Sequence, residues 1–165
     1  MIKIKPFVQT DDSRCGPATL KMILDFYGID SSEDELCIKC NHTYELGCTN
    51  DDMENVLQSY GFKTISKNYS TIDEINNWIR KEIPVIIDWF SHPNEPNDVY
   101  CSNGHSSIVV DIDDKFIYIL DPEIGKIRKF LHDEFLRVWF DWETSDTIDE
   151  TDKLNIRYML VVINE

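Results

Sequence analysis

Gly104-His105-Ser106-Ser107-Ile108-Val109-Val110-Asp111-Ile112-Asp113-Asp114-Lys115-Phe116-Ile117-Tyr118-Ile119-Leu120-Asp121-Pro122 is the stretch on which the fold turns. Two apolar, β-branched runs, His105 to Ile112 and Phe116 to Asp121, flank Asp113-Asp114-Lys115, which reads as a tight hairpin. With the turn at about Asp113-Asp114, His105 and Asp121 fall nearly opposite each other on neighbouring strands. Paired side chains lie about 5 Å apart at Cβ, so the imidazole and the carboxylate are expected to hydrogen-bond.

Working outward, Glu123-Ile-Gly-Lys is a second turn leading to a strand near Ile127 to Phe130. His132 to Trp139 has the spacing of a short helix, and Ile156 to Ile163 closes the chain as a strand. On the other side, Val85-Ile-Ile-Asp-Trp-Phe is a short continuous apolar run, as expected of a central buried strand. Ser91 to Asn103, with Pro93 and Pro96, is an irregular loop carrying His92 and Cys101. Before Pro84 the periodicity is helical. One helix begins at about Cys15 with Pro17 in its first turn, capped by Ser13 or Asp12, and stops at Gly28. Ser31 and Ser32 with Asp34 and Glu35 signal a second by the capping-box pattern, and Thr71 with Glu74 a fourth. The third runs from Asn50 to Tyr60 and ends at Gly61. Helices first and an antiparallel sheet second give the α+β class, with the cysteine at a helix start facing the sheet across a seam.

The 165 residues suit one domain, 1–165, with a sizeable core, and 42% apolar and 12% aromatic residues are globular composition. No apolar run is long enough to span a bilayer, and Met1-Ile-Lys-Ile-Lys-Pro lacks the apolar core of a signal peptide. A cytoplasmic protein without direct membrane insertion is expected. The net charge of −15, spread along the chain in clusters such as Asp146, Asp149, Glu150 and Asp152, repels phosphate backbones and argues against nucleic acid. Five cysteines, an odd count, argue for reduced thiols rather than a disulfide framework.

Among those thiols Cys15 stands out. The thiolate is the reactive form, and a helix start favours an anion through its unpaired N–H groups and dipole. Gly16 beside it allows close approach of a substrate backbone. Of the four histidines, only His105 follows a glycine, opens a strand and has Asp-Pro at the end of the next strand. A thiol, an imidazole and a carboxylate in this relation are the parts of a nucleophile, its base and the base's orienter.

Three ordered motifs carry a resemblance. Gln9, five intervening residues and Cys15-Gly-Pro-Ala-Thr-Leu resemble the first motif of the bacteriocin-processing, double-glycine leader peptidases, which are papain-like. Gly104-His105-Ser-Ser-Ile-Val-Val and Leu120-Asp121-Pro122-Glu-Ile-Gly125 resemble the second and third. Gly61-Phe62, Ile83-Pro84-Val85-Ile86, and Phe135 with Trp139 fall where that family has similar residues, so the likeness spans roughly residues 5 to 140. The resemblance implies a papain-like fold with the catalytic cleft at the seam. It makes Cys15 the nucleophile, His105 the base and acid, Asp121 the orienter and Gln9 an oxyanion donor. It implies a peptide or protein substrate, no cofactor, and association with a transporter or a precursor peptide. The chain has no G-x-x-x-x-G-K-[ST] loop, so a stand-alone domain is expected. A silent peptide-binding domain and an acyltransferase with the same Cys-His-Asp site are the alternatives.

Cys37, Cys40, His42 and Cys48 are sufficient in number for a tetrahedral zinc site, but their place at a helix end favours structural thiols, and no metal is assigned. Trp78, Trp89, Phe90, Phe116, Phe135 and Trp139 read as core. Trp139, Phe140 and Trp142 together are dense enough to suggest a substrate groove.

Overall fold

The computed structural model describes residues 1–91, 104–143 and 153–164. Most of the expected loop Ser91 to Asn103, including His92 and Cys101, and the acidic cluster at 146–152 lie outside the described residues. The elements are α1 (Cys15–Phe26), α2 (Glu33–Lys39), α3 (Asn50–Ser59), β1 (Lys63–Lys67), α4 (Ile72–Ile79), β2 (Val85–Phe90), β3 (Gly104–Ile112), β4 (Phe116–Asp121), β5 (Lys126–Leu131), α5 (His132–Val138), β6 (Phe140–Glu143), β7 (Lys153–Ile156) and β8 (Met159–Ile163). The class is α+β, as the order of patterns predicts.

The helix starts follow local chemistry. Ser32 accepts from the backbone N–H of Glu35, whose carboxylate accepts from that of Ser32, and Thr71 and Glu74 repeat the exchange. Each such cap is worth about 1 kcal/mol. The first helix departs from expectation: Arg14 is its N-cap and no side chain caps it. Ser13 is engaged elsewhere, donating its hydroxyl to Asp11 at 2.6 Å and lying 2.9 Å from His42 Nε2.

The main sheet has the order β1-β8-β2-β3-β4-β5, and every neighbouring pair is antiparallel. Its centre is dry. Val85, Ile86, Ile87, Ile108, Val109, Leu120 and Leu160 pack with Leu20, Ile23 and Leu24 of α1 and Leu57 of α3 in one core cluster. Burying each such side chain contributes about 1.5–3 kcal/mol. Thr19, one turn into α1, donates to the carbonyl of Ser106 at 3.1 Å and so ties the helix to β3 one residue from His105.

Two strand assignments change. The expected closing strand from Ile156 to Ile163 is two strands, broken at Arg157, which adopts a left-handed φ of 52°. Ile156 ends β7, which pairs with β6 in a separate two-stranded sheet, while β8 inserts between β1 and β2. The strand β1 has no counterpart in the sequence reading. It carries a single large apolar residue, Ile65, and a lysine at each end, which suits an exposed sheet edge. The register of the decisive hairpin also differs. Ile108 pairs with Leu120, and an irregularity between Val109 and Asp111 shifts the ladder toward the turn. Continuing that ladder sets Asp121 across from Ser107, so His105 stands two residues beyond it on the same face.

Candidate active site

Cys15 is the first residue of α1 and is partly exposed. Pro17 has no N–H to lose at the uncapped end, and its fixed φ suits the first turn. Gly16 is required by packing: a Cβ there would meet Cys48 Sγ at 2.3 Å and Met53 Sδ at 3.2 Å. The absence of a side chain lets the segment around Cys48 lie directly against the start of the helix.

His105 is buried and Asp121 fully so. Despite the offset in register, His105 Nε2 lies 2.6 Å from Asp121 Oδ1. Diagonal neighbours on one face are within reach of a ring. With Nε2 committed to the carboxylate, Nδ1 is the ring nitrogen left for the Cys15 side chain, which interacts electrostatically with His105. Burial alone would lower the imidazole pKa, but Asp121 and then Cys15 outweigh it and raise it to about 10. The sheet and the helix thus bring Cys15, His105 and Asp121 together.

Asp121 has further partners. Its Oδ1 also accepts from the backbone N–H of Glu123 at 2.8 Å, and its Oδ2 accepts from Arg128 Nε. Burial would raise its pKa, yet the hydrogen bond and charge of His105, followed by Arg128 and the Glu123 N–H, hold it at about 2. Arg128 also reaches Glu123 Oε2 at 3.0 Å. Trp89, 3% exposed, closes the site from β2. Its ring meets His105 edge-on at 5.7 Å, its Nε1 donates to Ser107 Oγ at 3.0 Å, and the Arg128 guanidinium lies 6.0 Å from its ring centre. Sequence reasoning took Trp89 as core only and did not single out Arg128. The register supplies the missed signal, because Arg128 pairs with Ile119 in β5 and so shares a face with Asp121.

Gln9 is brought to the same end of the sheet by the N-terminal segment. Its backbone N–H donates to the Pro122 carbonyl at 2.9 Å, one residue beyond Asp121. Gly125, at φ 60°, leaves room there for Val8, whose Cγ2 lies 2.5 Å from where a Cβ would stand. The Gln9 side chain donates from Nε2 to the Asp11 carbonyl at 2.8 Å, which uses one of its two amide hydrogens.

The four candidate zinc ligands do not converge. His42 Nε2 is turned to Ser13, 2.9 Å from its Oγ and 3.1 Å from its carbonyl oxygen, while the Cys40 thiol donates to the Cys37 carbonyl at 3.8 Å. Among the described residues the grouping with metal-ligand spacing is His105, Asp121 and Glu123, where Arg128 already occupies the carboxylates. The suggested aromatic groove is also revised. Trp139 is 1% exposed, stacked on Phe135 at 5.1 Å and donating from Nε1 to Tyr158 O, because α5 turns it inward. Phe140 stacks on Phe90 at 5.3 Å. The Trp142 side chain lies outside the described residues.

The family model of the Peptidase_C39 like family matches residues 1–145. No curated protein matches the sequence. Among solved structures, the peptidase domain of Streptococcus ComA, a bi-functional ABC transporter involved in a quorum sensing pathway, is similar with a TM-score of 0.72 at 18% identity, covering 99% of this chain and 100% of that one. A double glycine motif protease from an AMS/PCAT transporter, in complex with the leader peptide, gives a TM-score of 0.67 at 19% identity over 98% of this chain and 91% of that one. At such identities the likeness is one of fold. No helix among the described residues is long and apolar enough to cross a membrane.

Proposed function

We propose, since the chain belongs to the Peptidase_C39 like family, that it is a cysteine peptidase that hydrolyses a peptide bond through a thioester on Cys15. The observation that carries this reading is the buried His105 ring, 2.6 Å from Asp121 Oδ1 and in electrostatic contact with Cys15 at the start of α1. The Cys15 thiolate attacks the carbonyl carbon, and the bond to the leaving nitrogen breaks as the His105 imidazolium gives that nitrogen its proton. His105, now neutral, takes a proton from the water that attacks the thioester, and collapse of the adduct releases the acid and restores the Cys15 thiolate and the His105 imidazolium. Asp121 orients the ring throughout. Gln9, with its second amide hydrogen, and the backbone N–H of Cys15 stabilise the oxyanion, and one such donor is worth about 3–4 kcal/mol of barrier.

The substrate class we infer is a precursor peptide with a double-glycine leader, cleaved in the cytoplasm in association with a transporter. The motif order around Gln9, Cys15, His105 and Asp121 supports it, as does the likeness in fold to a protease solved with a leader peptide. Synthetic peptides ending a leader in Gly-Gly, incubated with wild-type chain and with Cys15→Ala, test the reading by mass spectrometry of the products. Cleavage after the second glycine by the wild type alone is expected. Intact peptide with the wild type across such a panel, or equal cleavage by Cys15→Ala, would reject it. Transfer of the acyl group to an added amine in place of water would point to an acyltransferase.

A further inference from the structure

Asp121 is a fully buried carboxylate whose two oxygens face different partners: Oδ1 faces His105 and the Glu123 N–H, and Oδ2 faces Arg128 Nε. The guanidinium is 21% exposed, bridges on to Glu123 Oε2 at 3.0 Å and lies over the face of Trp89. Its planar fork is held by Asp121, Glu123 and the Trp89 ring, and the hydrogen bonds show no contact between it and the imidazole.

This arrangement bears on the charge of the site during turnover. A buried carboxylate without a counter-charge is costly. When His105 carries its proton, the imidazolium supplies that charge. When His105 is neutral, the described residues leave Arg128 as the cation bound to Asp121. We propose that Arg128 is a positioning residue that clamps Oδ2 so that Oδ1 faces His105, and that balances the carboxylate whenever the imidazole is neutral. By sharing the carboxylate's charge, Arg128 also weakens its hold on the imidazole proton, which makes that proton transferable. Other titratable groups lie around the pair: Cys15 at the start of α1 interacts with His105, Glu123 in the turn after β4 is bridged to Arg128, and the Asp141 carboxylate of β6 packs against Gly104, next to His105 in β3. The consequence for turnover rests on the peptidase reading, but the effect on His105 does not.

The test separates the two. In a Cys15→Ala background the thiol no longer contributes, and the protonation of His105 can be followed by NMR of its ring protons. Loss of a neighbouring positive charge favours the imidazolium, so adding Arg128→Met is expected to raise the midpoint by about one pH unit, a tenfold change in proton affinity. Arg128→Lys, which keeps a cation without the fork, is expected to move it less, and decides the matter if the methionine variant does not fold. A midpoint unchanged in both variants would overturn the proposal. With Cys15 present, Arg128→Met should lower kcat near neutral pH about tenfold, with KM unchanged, and shift the acidic limb of the kcat profile upward. Loss of kcat with unmoved limbs would reduce Arg128 to a packing role. Failure of the wild type to cleave any peptide would reject the peptidase reading and leave the NMR result to stand by itself.

Discussion

His105 and Asp121 are joined at 2.6 Å although they are not partners in the β3–β4 ladder. The ladder, continued past Ile108 and Leu120, sets Asp121 beside Ser107, and the imidazole reaches back across two residues on the same face. The hydrogen bond therefore depends on the rotamers of both side chains, and these are set by Trp89, Arg128 and the Glu123 N–H.

Asp121→Asn is expected to be nearly as damaging as Asp121→Ala. Both carboxylate oxygens accept from donors, so an amide placed either way turns its NH2 toward another N–H. Loss of the orienter should lower kcat on the order of 10²–10⁴-fold. Steady-state kinetics beside thermal melts would check it, and near-normal turnover in the asparagine variant would contradict the hydrogen-bond scheme.

Stability should depend on pH in two windows. The folded chain holds the His105 proton to about pH 10, whereas an unfolded histidine releases it near 6.5. Between those values the native state binds more protons, so the contribution is complete below about pH 6.5 and is lost as pH rises toward 10. Asp121 has the opposite sign: its pKa of about 2 lies below the ordinary carboxylate value, so its contribution is present above about pH 4 and lost as pH falls through 2. Melting temperatures should be highest between about pH 4 and 6.5, and His105→Gln should flatten the alkaline decline. An alkaline decline unchanged by that substitution would place its cause elsewhere.

Gln9→Ala is expected to lower kcat about 10²- to 10³-fold with little change in KM, because an oxyanion donor acts on charge that develops only in the transition state. The fold should survive, since the Gln9 backbone N–H on Pro122 still holds the segment when the side-chain bond to the Asp11 carbonyl is lost. A change confined to KM would make Gln9 a ground-state contact.

Gly16→Ala drives a Cβ to within 2.3 Å of Cys48 Sγ. Overpacking of this kind costs about 1–3 kcal/mol. Cys48→Ala removes the obstructing sulfur, and the double variant should recover part of the lost melting temperature. Strictly additive effects of the two substitutions would argue against the contact.

What could be read from the sequence was whatever is local in the chain. The Ser32–Glu35 and Thr71–Glu74 boxes, the apolar run of β2 and the hairpin of β3 and β4 all announce themselves within a few residues. The end of β4 also brings Asp121 near His105, even with the register wrong by two, because an offset of two keeps both on one face. The features that escaped are those set by distant partners. The strand β1 exists because β8 pairs with it, and the break at Arg157 matters because it hands β7 to β6 and β8 to the main sheet. Ser13 does not cap α1, because Asp11 and His42 engage its hydroxyl, and Arg14 stands at the N-cap position without a side-chain cap. Arg128 could be found only from the β4–β5 register.

The central claim is that Cys15 is the nucleophile. Wild-type chain treated with a substoichiometric peptidyl electrophile ending in Gly-Gly, then digested and mapped by mass spectrometry, tests it most directly. The account predicts a single adduct on Cys15, ahead of Cys37, Cys40, Cys48 and Cys101, and much slower labelling in His105→Ala. Even labelling of the five cysteines, or peptide hydrolysis that survives in Cys15→Ala, would contradict it.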